Sequence, residues 1–272
     1  MRKVKHHLHR LESVIGDIGP LAVAVSGGVD SMTLATAAHR VLGNDVRMLH
    51  AVSPAVPEDA SDRVRSYAIR EGWRLDVIDA REFADANYIA NPHDRCFYCK
   101  TNLYSTMADA VDCVLVSGTN SDDLGDYRPG LRAAADFGVI HPYVEAGMNK
   151  DAVRALAQEL ALHDLAALPA SPCLSSRVET GLAIEPKVLD AIYRAEKFVQ
   201  RELKPRTARC RVRLGAIVIE LDAESIRVLD PPKADDLRQQ IVVLLSNAGV
   251  RHPVSFQTYQ MGSAFLRRGN EH

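Results

Sequence analysis

Leu21–Arg40, LAVAVSGGVDSMTLATAAHR, is the stretch whose reading decides the fold. Five apolar residues run into Ser-Gly-Gly-Val-Asp-Ser, after which the spacing turns helical and runs to a stop signal at Gly43. A glycine-rich turn between a buried strand and a helix exposes backbone N–H groups beside the positive end of the helix dipole, an arrangement suited to phosphate. Gly27 and Gly28 let the backbone approach an anion, and Ser26 and Ser31 add hydroxyl donors. Asp30 would repel a bare phosphate, which points to an accompanying magnesium ion or to a capping role.

Outward from this stretch, strand-like and helix-like segments alternate. DVRMLHAVS, RLDVIDA and CVLVSG read as further buried strands, separated by helices over about 57–72 and 98–111. Such alternation predicts a parallel sheet flanked by helices, with ligands gathering at the carboxyl ends of the strands. Ser26, Ser53 and Gly118 to Asn120 fall there. Asn149 caps a helix, a long loop over HDLAALPASPCLSSRVETG follows, and another helix covers about 185–203. After Arg206 the pattern changes to two paired strands, a helix over 234–247 and a third strand in PVSFQTY. The expected architecture is an α/β domain over 1–180 followed by a smaller α+β domain over 181–272.

Composition narrows the class. The chain has 272 residues, ordinary apolar and charged fractions and a formal charge of −2, so disorder and a broad nucleic-acid face are both disfavoured. Its longest apolar runs are too short to span a membrane. The start, MRKVKHHLHRLESVIGD, reads as an amphipathic helix and lacks the apolar core of a signal peptide. Five cysteines without an export signal lead us to expect reduced thiols and a cytoplasmic location.

SGGVDS resembles the pyrophosphatase (PP) loop of enzymes that split ATP between the α and β phosphates and place AMP on a substrate oxygen. No Walker lysine follows Gly28. Three further segments narrow the likeness: RCFYCKTNLYS (95–105), SGTNSDDLGDYRPG (117–130) and PASPCLSSR (169–177), with AEKF (195–198) and RVR (211–213) behind them. In this order they resemble the ATP-dependent sacrificial sulfur transferases of nickel-pincer cofactor synthesis, over most of the chain up to about Asp222.

That resemblance implies a PP-loop (adenine nucleotide alpha hydrolase-like) fold and adenylation of a carboxylate of a pyridinium dicarboxylate mononucleotide. A protein-bound sulfur then displaces AMP and leaves a thiocarboxylate. It implies ATP with Mg2+ at Ser26, Gly27, Gly28, Val29, Asp30, Ser31, Val52, Ser53, Gly118 and Thr119, with Val52 and Ser53 near adenine. Cys173 would carry the sulfur. Members with only the late cysteine sacrifice it, whereas members with C-x-x-C resemble cluster-binding thiolases. Cys96, Cys99 and Cys173 would then hold a four-iron (4Fe-4S) cluster. The C-x-x-C by itself also admits half of a zinc site, with His93 nearby, or a redox pair. Cys113 reads as a core residue of the fourth strand, and Cys210 as a small apolar residue on a later strand.

The substrate's phosphate and carboxylates are anions, which guanidinium groups bind in bidentate fashion. Arg128, Arg177, Arg211 and Arg213, with Ser176 and Glu196, are the expected substrate contacts; a solvated basic edge and a surface carboxylate are the plainer readings. Arg211 and Arg213 alternate with Val212 and so share one face of a strand. Asp122, Asp123 and Asp126 serve a metal or simply form turns. A homo-oligomer is expected. The alternatives are a tRNA thiolation enzyme with the same loop, and a nucleotide-binding module without catalysis.

Overall fold

A computed structural model describes residues 2–125 and 129–260. Within the first part of the chain, four strands form one parallel sheet: β1 (Leu21–Ala24), β2 (Val46–Val52), β3 (Arg74–Asp79) and β4 (Val114–Ser117), in the order β3-β2-β1-β4. Their register runs Leu21 opposite Val46 and Val114, and Arg47 opposite Arg74. Helices α1 (Arg2–Ile18), α2 (Val29–Leu42), α3 (Glu58–Glu71), the single turn α4 (Ala86–Ile89), α5 (Arg95–Ala110), α6 (Pro129–Asp136) and the short α7 (Pro142–Glu145) precede α8 (Lys150–Glu159) and α9 (His163–Ala166).

The central strand β1 reads as an unbroken apolar run because both its faces are covered, whereas the edge strand β3, with Arg74, Asp76 and Asp79, is partly exposed. One cluster joins Leu21, Val23, Met32, Leu34, Met48 and Leu156, and another joins Ala22, Leu49, Tyr104, Met107 and Leu115. Each fully buried aliphatic side chain contributes about 1.5–3 kcal/mol relative to exposure. Element ends follow the turn chemistry. Gly72 closes α3 in the left-handed region, with its N–H donating to Ala68 O, and Asn149 caps α8 by accepting from Ala152 N. Cys113 lies one residue before β4 rather than within it; it packs against the second cluster, and burial pushes its thiol up. Strand pairing starts only at Val114, opposite Leu21.

The remaining elements are α10 (Pro186–Leu203), β5 (Ala208–Arg213), β6 (Ala216–Leu221), α11 (Ala223–Val228), α12 (Pro231–Asn247) and β7 (Val254–Thr258). β5 and β6 are antiparallel and β7 adds parallel to β6. Leu189, Ile192, Val199, Ile217, Ile219, Leu237, Ile241 and Leu245 are buried.

The chain divides into two compact units. One comprises 2–85 and 94–171; the other comprises Ala86–His93 with the chain from Pro172 on. The excursion of 86–93 has a local cause: Asn91 donates from Nδ2 to Glu179 O and Leu182 O at 2.9 Å, and its own carbonyl accepts from Gly181 N. The expected long loop is subdivided. α9 interrupts it, and Leu174–Arg177 forms a 3-10 turn whose continuation bridges Val178 to Val212. Among the described residues no helix is long and apolar enough to cross a membrane.

Candidate functional site

The first site is built where β1 leaves the sheet. Gly27 takes a φ of 80°, and Gly28 precedes α2 without a side-chain cap, leaving the first N–H groups of a 14-residue helix to face the loop. The two hydroxyls close the loop on itself. Ser26 N donates to Ser31 Oγ at 3.0 Å, Ser31 Oγ donates to Gly28 O at 3.3 Å, and the two Oγ atoms lie 3.0 Å apart. A Cβ on Gly27 would lie 2.6 Å from Ala60 O, and one on Gly118 would lie 2.7 Å from Ser31 N. A Cβ on Gly28 would meet only Ser26 Oγ, at 3.5 Å. Two of these glycines are therefore required by the protein's own packing, and Gly28 borders open space.

Asp30 in the first turn of α2 pairs through one carboxylate oxygen with Lys150 Nζ, while its other oxygen is buried without a hydrogen-bond partner. Tyr143 Oη donates to the Asp30 carbonyl at 3.0 Å, and burial raises this phenol's pKa well above its ordinary value. Lys150 N donates to Asp122 Oδ2 at 3.0 Å, tying the acidic loop to the same place. Thr119 Oγ1 and Ser117 Oγ are 3.1 Å apart, and Ser117 Oγ is 2.9 Å from His141 Nδ1; burial holds His141 below its ordinary pKa. Val52 ends β2, and Ser53 Oγ accepts from Ala55 N and hydrogen-bonds Glu82, a buried carboxyl whose pKa burial pushes up. The orphaned oxygen of Asp30 fits a magnesium ion that keeps one carboxylate and takes its remaining ligands from phosphates and water.

The second site lies in the other unit. Cys173 is exposed, yet its backbone is held firmly. Its carbonyl accepts from Ser176 N at 3.1 Å, Ser176 Oγ at 2.8 Å and Arg177 Nη1 at 3.1 Å. Arg177 is 2% exposed and grips Glu196 with both forks, Nε to Oε1 at 3.0 Å and Nη2 to Oε2 at 3.2 Å. Glu196 Oε1 also accepts from Cys210 N at 2.8 Å. Arg211 and Arg213 lie on one face of β5 and share Glu220, and Arg211 Nη1 donates to Ser176 O at 3.0 Å. Arg177 and Arg211 thus form the frame behind the Cys173 turn, and Arg213 stays partly exposed. Arg128 and Asp126 lie outside the described residues.

Cys96 and Cys99 stand three residues apart in the first two turns of α5, both half-exposed, on one side of the helix. Among the described residues no three His, Cys, Asp or Glu side chains form a group that could hold a metal ion; Cys96 and Cys99 belong to one compact unit and Cys173 to the other. Cys210 is buried and its thiol is pushed far up by burial.

The sequence missed Lys150, His141, Glu82, Glu220, and the pair His50 and Ser61 described below. Lys150 directly follows the capping Asn149, which placed it at a helix start but gave no hint of Asp30, 120 residues away.

No family model matches the chain. It is 36% identical over 225 residues to an uncharacterised protein of Synechocystis sp., covering 81% of this chain and 83% of that protein. It is 32% identical over 216 residues to pyridinium-3,5-bisthiocarboxylic acid mononucleotide synthase of Lactiplantibacillus plantarum, covering 78% of each. A more distant relative is one subunit of the glutamine-hydrolysing GMP synthase of Natronomonas pharaonis, at 28% identity over 58% of this chain and 57% of that subunit. That likeness agrees with a PP-loop fold for the four-stranded unit. With the synthase matched across most of both chains, the protein belongs to the family of pyridinium-3,5-bisthiocarboxylic acid mononucleotide synthase.

Proposed function

We propose that the protein is an ATP-dependent sulfur transferase acting on a carboxylate of a pyridinium dicarboxylate mononucleotide. The observation that carries this reading, in a chain similar to that synthase, is the exposed thiol of Cys173 on a turn fixed by Arg177 and Ser176. The 26–31 loop, with Gly118 and Thr119, holds the triphosphate, and Val52 and Ser53 lie on the adenine side. A magnesium ion carried by the phosphates would supply charge neutralisation at Asp30. Lys150, paired with Asp30, would be free to turn its ammonium toward the phosphates if Asp30 held a magnesium ion.

The substrate carboxylate oxygen attacks the α-phosphorus and pyrophosphate leaves, giving an acyl-adenylate. A thiolate is the competent sulfur nucleophile, since a neutral thiol is weak. The Cys173 sulfur attacks the activated carbonyl and AMP departs. The Cβ–S bond then breaks as the Cα proton is lost, leaving thiocarboxylate and dehydroalanine. Arg213 and Ser176 are the proposed contacts for the substrate's anionic groups, with Arg177, Arg211 and Glu196 behind them and Arg128 as a further contact. No step is assigned to a cluster. A homo-oligomeric, cytoplasmic enzyme is part of the same reading.

The test is incubation with ATP, magnesium and the dicarboxylate mononucleotide, with mass spectrometry of product and protein. AMP, thiocarboxylate and a protein lighter by hydrogen sulfide at Cys173 are expected. Thiocarboxylate from protein of unchanged mass, together with iron in oxygen-free preparations, would replace the sacrificial route by the cluster route. ATP binding without AMP formation would leave a nucleotide-binding module.

A further inference from the structure

His50 sits in the middle of β2, fully buried, and none of the chemistry above uses it. Its Nδ1 is 2.8 Å from Val25 O and its Nε2 is 2.9 Å from Ser61 Oγ. A carbonyl can only accept, so Nδ1 carries the proton; Nε2 is then the acceptor and the Ser61 hydroxyl donates to it. The tautomer is fixed by its two neighbours.

The position of Val25 gives this link its meaning. The β1–β2 ladder ends with Ala24 opposite Leu49, and Val25 N still donates to Leu49 O at 2.9 Å. The next carbonyl, that of Val25, is taken by the imidazole instead of a backbone donor, and one residue later the phosphate loop begins. Ser61 lies on α3, which meets that loop at two further points. The Ala60 carbonyl packs against Gly27, and Arg63 Nη1 donates to Gly27 O at 2.8 Å. The loop is therefore held from outside at Val25 and Gly27, both through α3 and the strand beneath it.

We infer that His50 is a positioning residue of the nucleotide site: with Ser61 it clamps the carbonyl at the root of the phosphate loop and sets the direction in which the loop's N–H groups point. This rests on the reading of the 26–31 loop as the phosphate site. Loop N–H groups bind an anion well only when they converge on it, and a buried polar group left without its partner shifts the backbone that aims them. A side chain that never touches ATP can thus control its affinity.

The experiment compares His50→Leu, His50→Gln and Ser61→Ala with the intact protein, measuring the Kd of Mg-ATP and of pyrophosphate by calorimetry beside the melting temperature. His50→Leu strands the Val25 carbonyl and is expected to weaken both ligands by about tenfold or more. His50→Gln restores one donor and one acceptor and is expected to stay within about threefold of the parent. Ser61→Ala lets the ring swing and is expected to weaken ATP in the same direction as His50→Leu. A lower melting temperature with unchanged Kd in His50→Leu would make the residue structural only and overturn the inference. Where His50→Leu does not fold, Ser61→Ala decides, and a parental Kd there overturns it. An intact protein that binds neither ligand would sink the proposed function as well, whereas intact binding with unaffected variants sinks this inference alone.

Discussion

At the scale of the residue, Gly27 and Gly28 are neighbours with different duties. Gly27 has a positive φ and the Ala60 carbonyl against its Cα, so Gly27→Ala combines left-handed strain of about 1–2 kcal/mol with a backbone clash. Its melting temperature should drop. Gly28 has a φ of −85° and nothing but a serine hydroxyl in the way. Gly28→Ala should therefore melt like the parent while losing ATP affinity, because its methyl group enters the space into which phosphate oxygens would come. Parental ATP affinity in Gly28→Ala would count against the loop as the phosphate site. The buried histidines give a pH signature. Burial lowers the pKa of His50 from 6.5, with the Arg65 charge acting the same way and the Val25 bond opposing; burial likewise lowers His141, with Asp123 opposing. The unfolded chain takes up protons below 6.5 that the folded one refuses. Their contribution to stability is fully present above that pH and lost as pH falls towards the depressed values. The acid limb of thermal stability should be shallower in His50→Gln; an identical limb would show that His50 titrates normally.

At the scale of the element, the Cys173 turn depends on a buried ion pair between a 3-10 turn and α10. Glu196→Gln keeps the shape but leaves the Arg177 guanidinium buried without its counter-charge, a loss of about 3–5 kcal/mol when one partner of such a pair is removed. Urea unfolding followed by circular dichroism should show it, and a shift under about 1 kcal/mol would mean that water reaches the arginine. Elements were the most legible level of the sequence. The β1–α2 junction declares itself because an apolar run, a glycine pair and a helical period coincide within twenty residues, and Asn149 announces α8 by capping chemistry. Pairings across the fold left no such trace. Nothing near Arg177 in sequence indicates that Glu196 neutralises it, and His50 reads as one more residue of an apolar strand.

For the whole molecule, the proposed reaction divides along the chain. The phosphate loop, Asp30 and Lys150 belong to one compact unit, and Cys173 with its arginine frame belongs to the other. Activation and sulfur delivery should therefore be separable by mutation. Cys173→Ser offers a hydroxyl that stays protonated at neutral pH and carries no sulfur, so it should still bind ATP and form AMP while making no thiocarboxylate. Thiocarboxylate at the parental rate from that variant would remove Cys173 from the proposal. The sequence foretold an α/β part and an α+β part from the change of period after Arg206. The crossing of Ala86–His93 into the second unit was hidden, since it depends on Tyr88, Ile89 and Asn91 bonding to residues about ninety positions away.

The contrast among the loop's glycines also bears on how descendants of this chain would be told apart. Gly27 and Gly118 answer to the protein's own backbone, so any copy that keeps the fold must keep them, whatever its trade. Gly28 meets no such backbone and, in the proposed reading, answers to the phosphates alone. In a duplicated gene released from nucleotide chemistry, position 28 would be free to acquire a side chain first, while SGG's other glycine and Gly118 persisted. Substitution at that single position would date the loss of the reaction, even where the rest of the loop still looked intact.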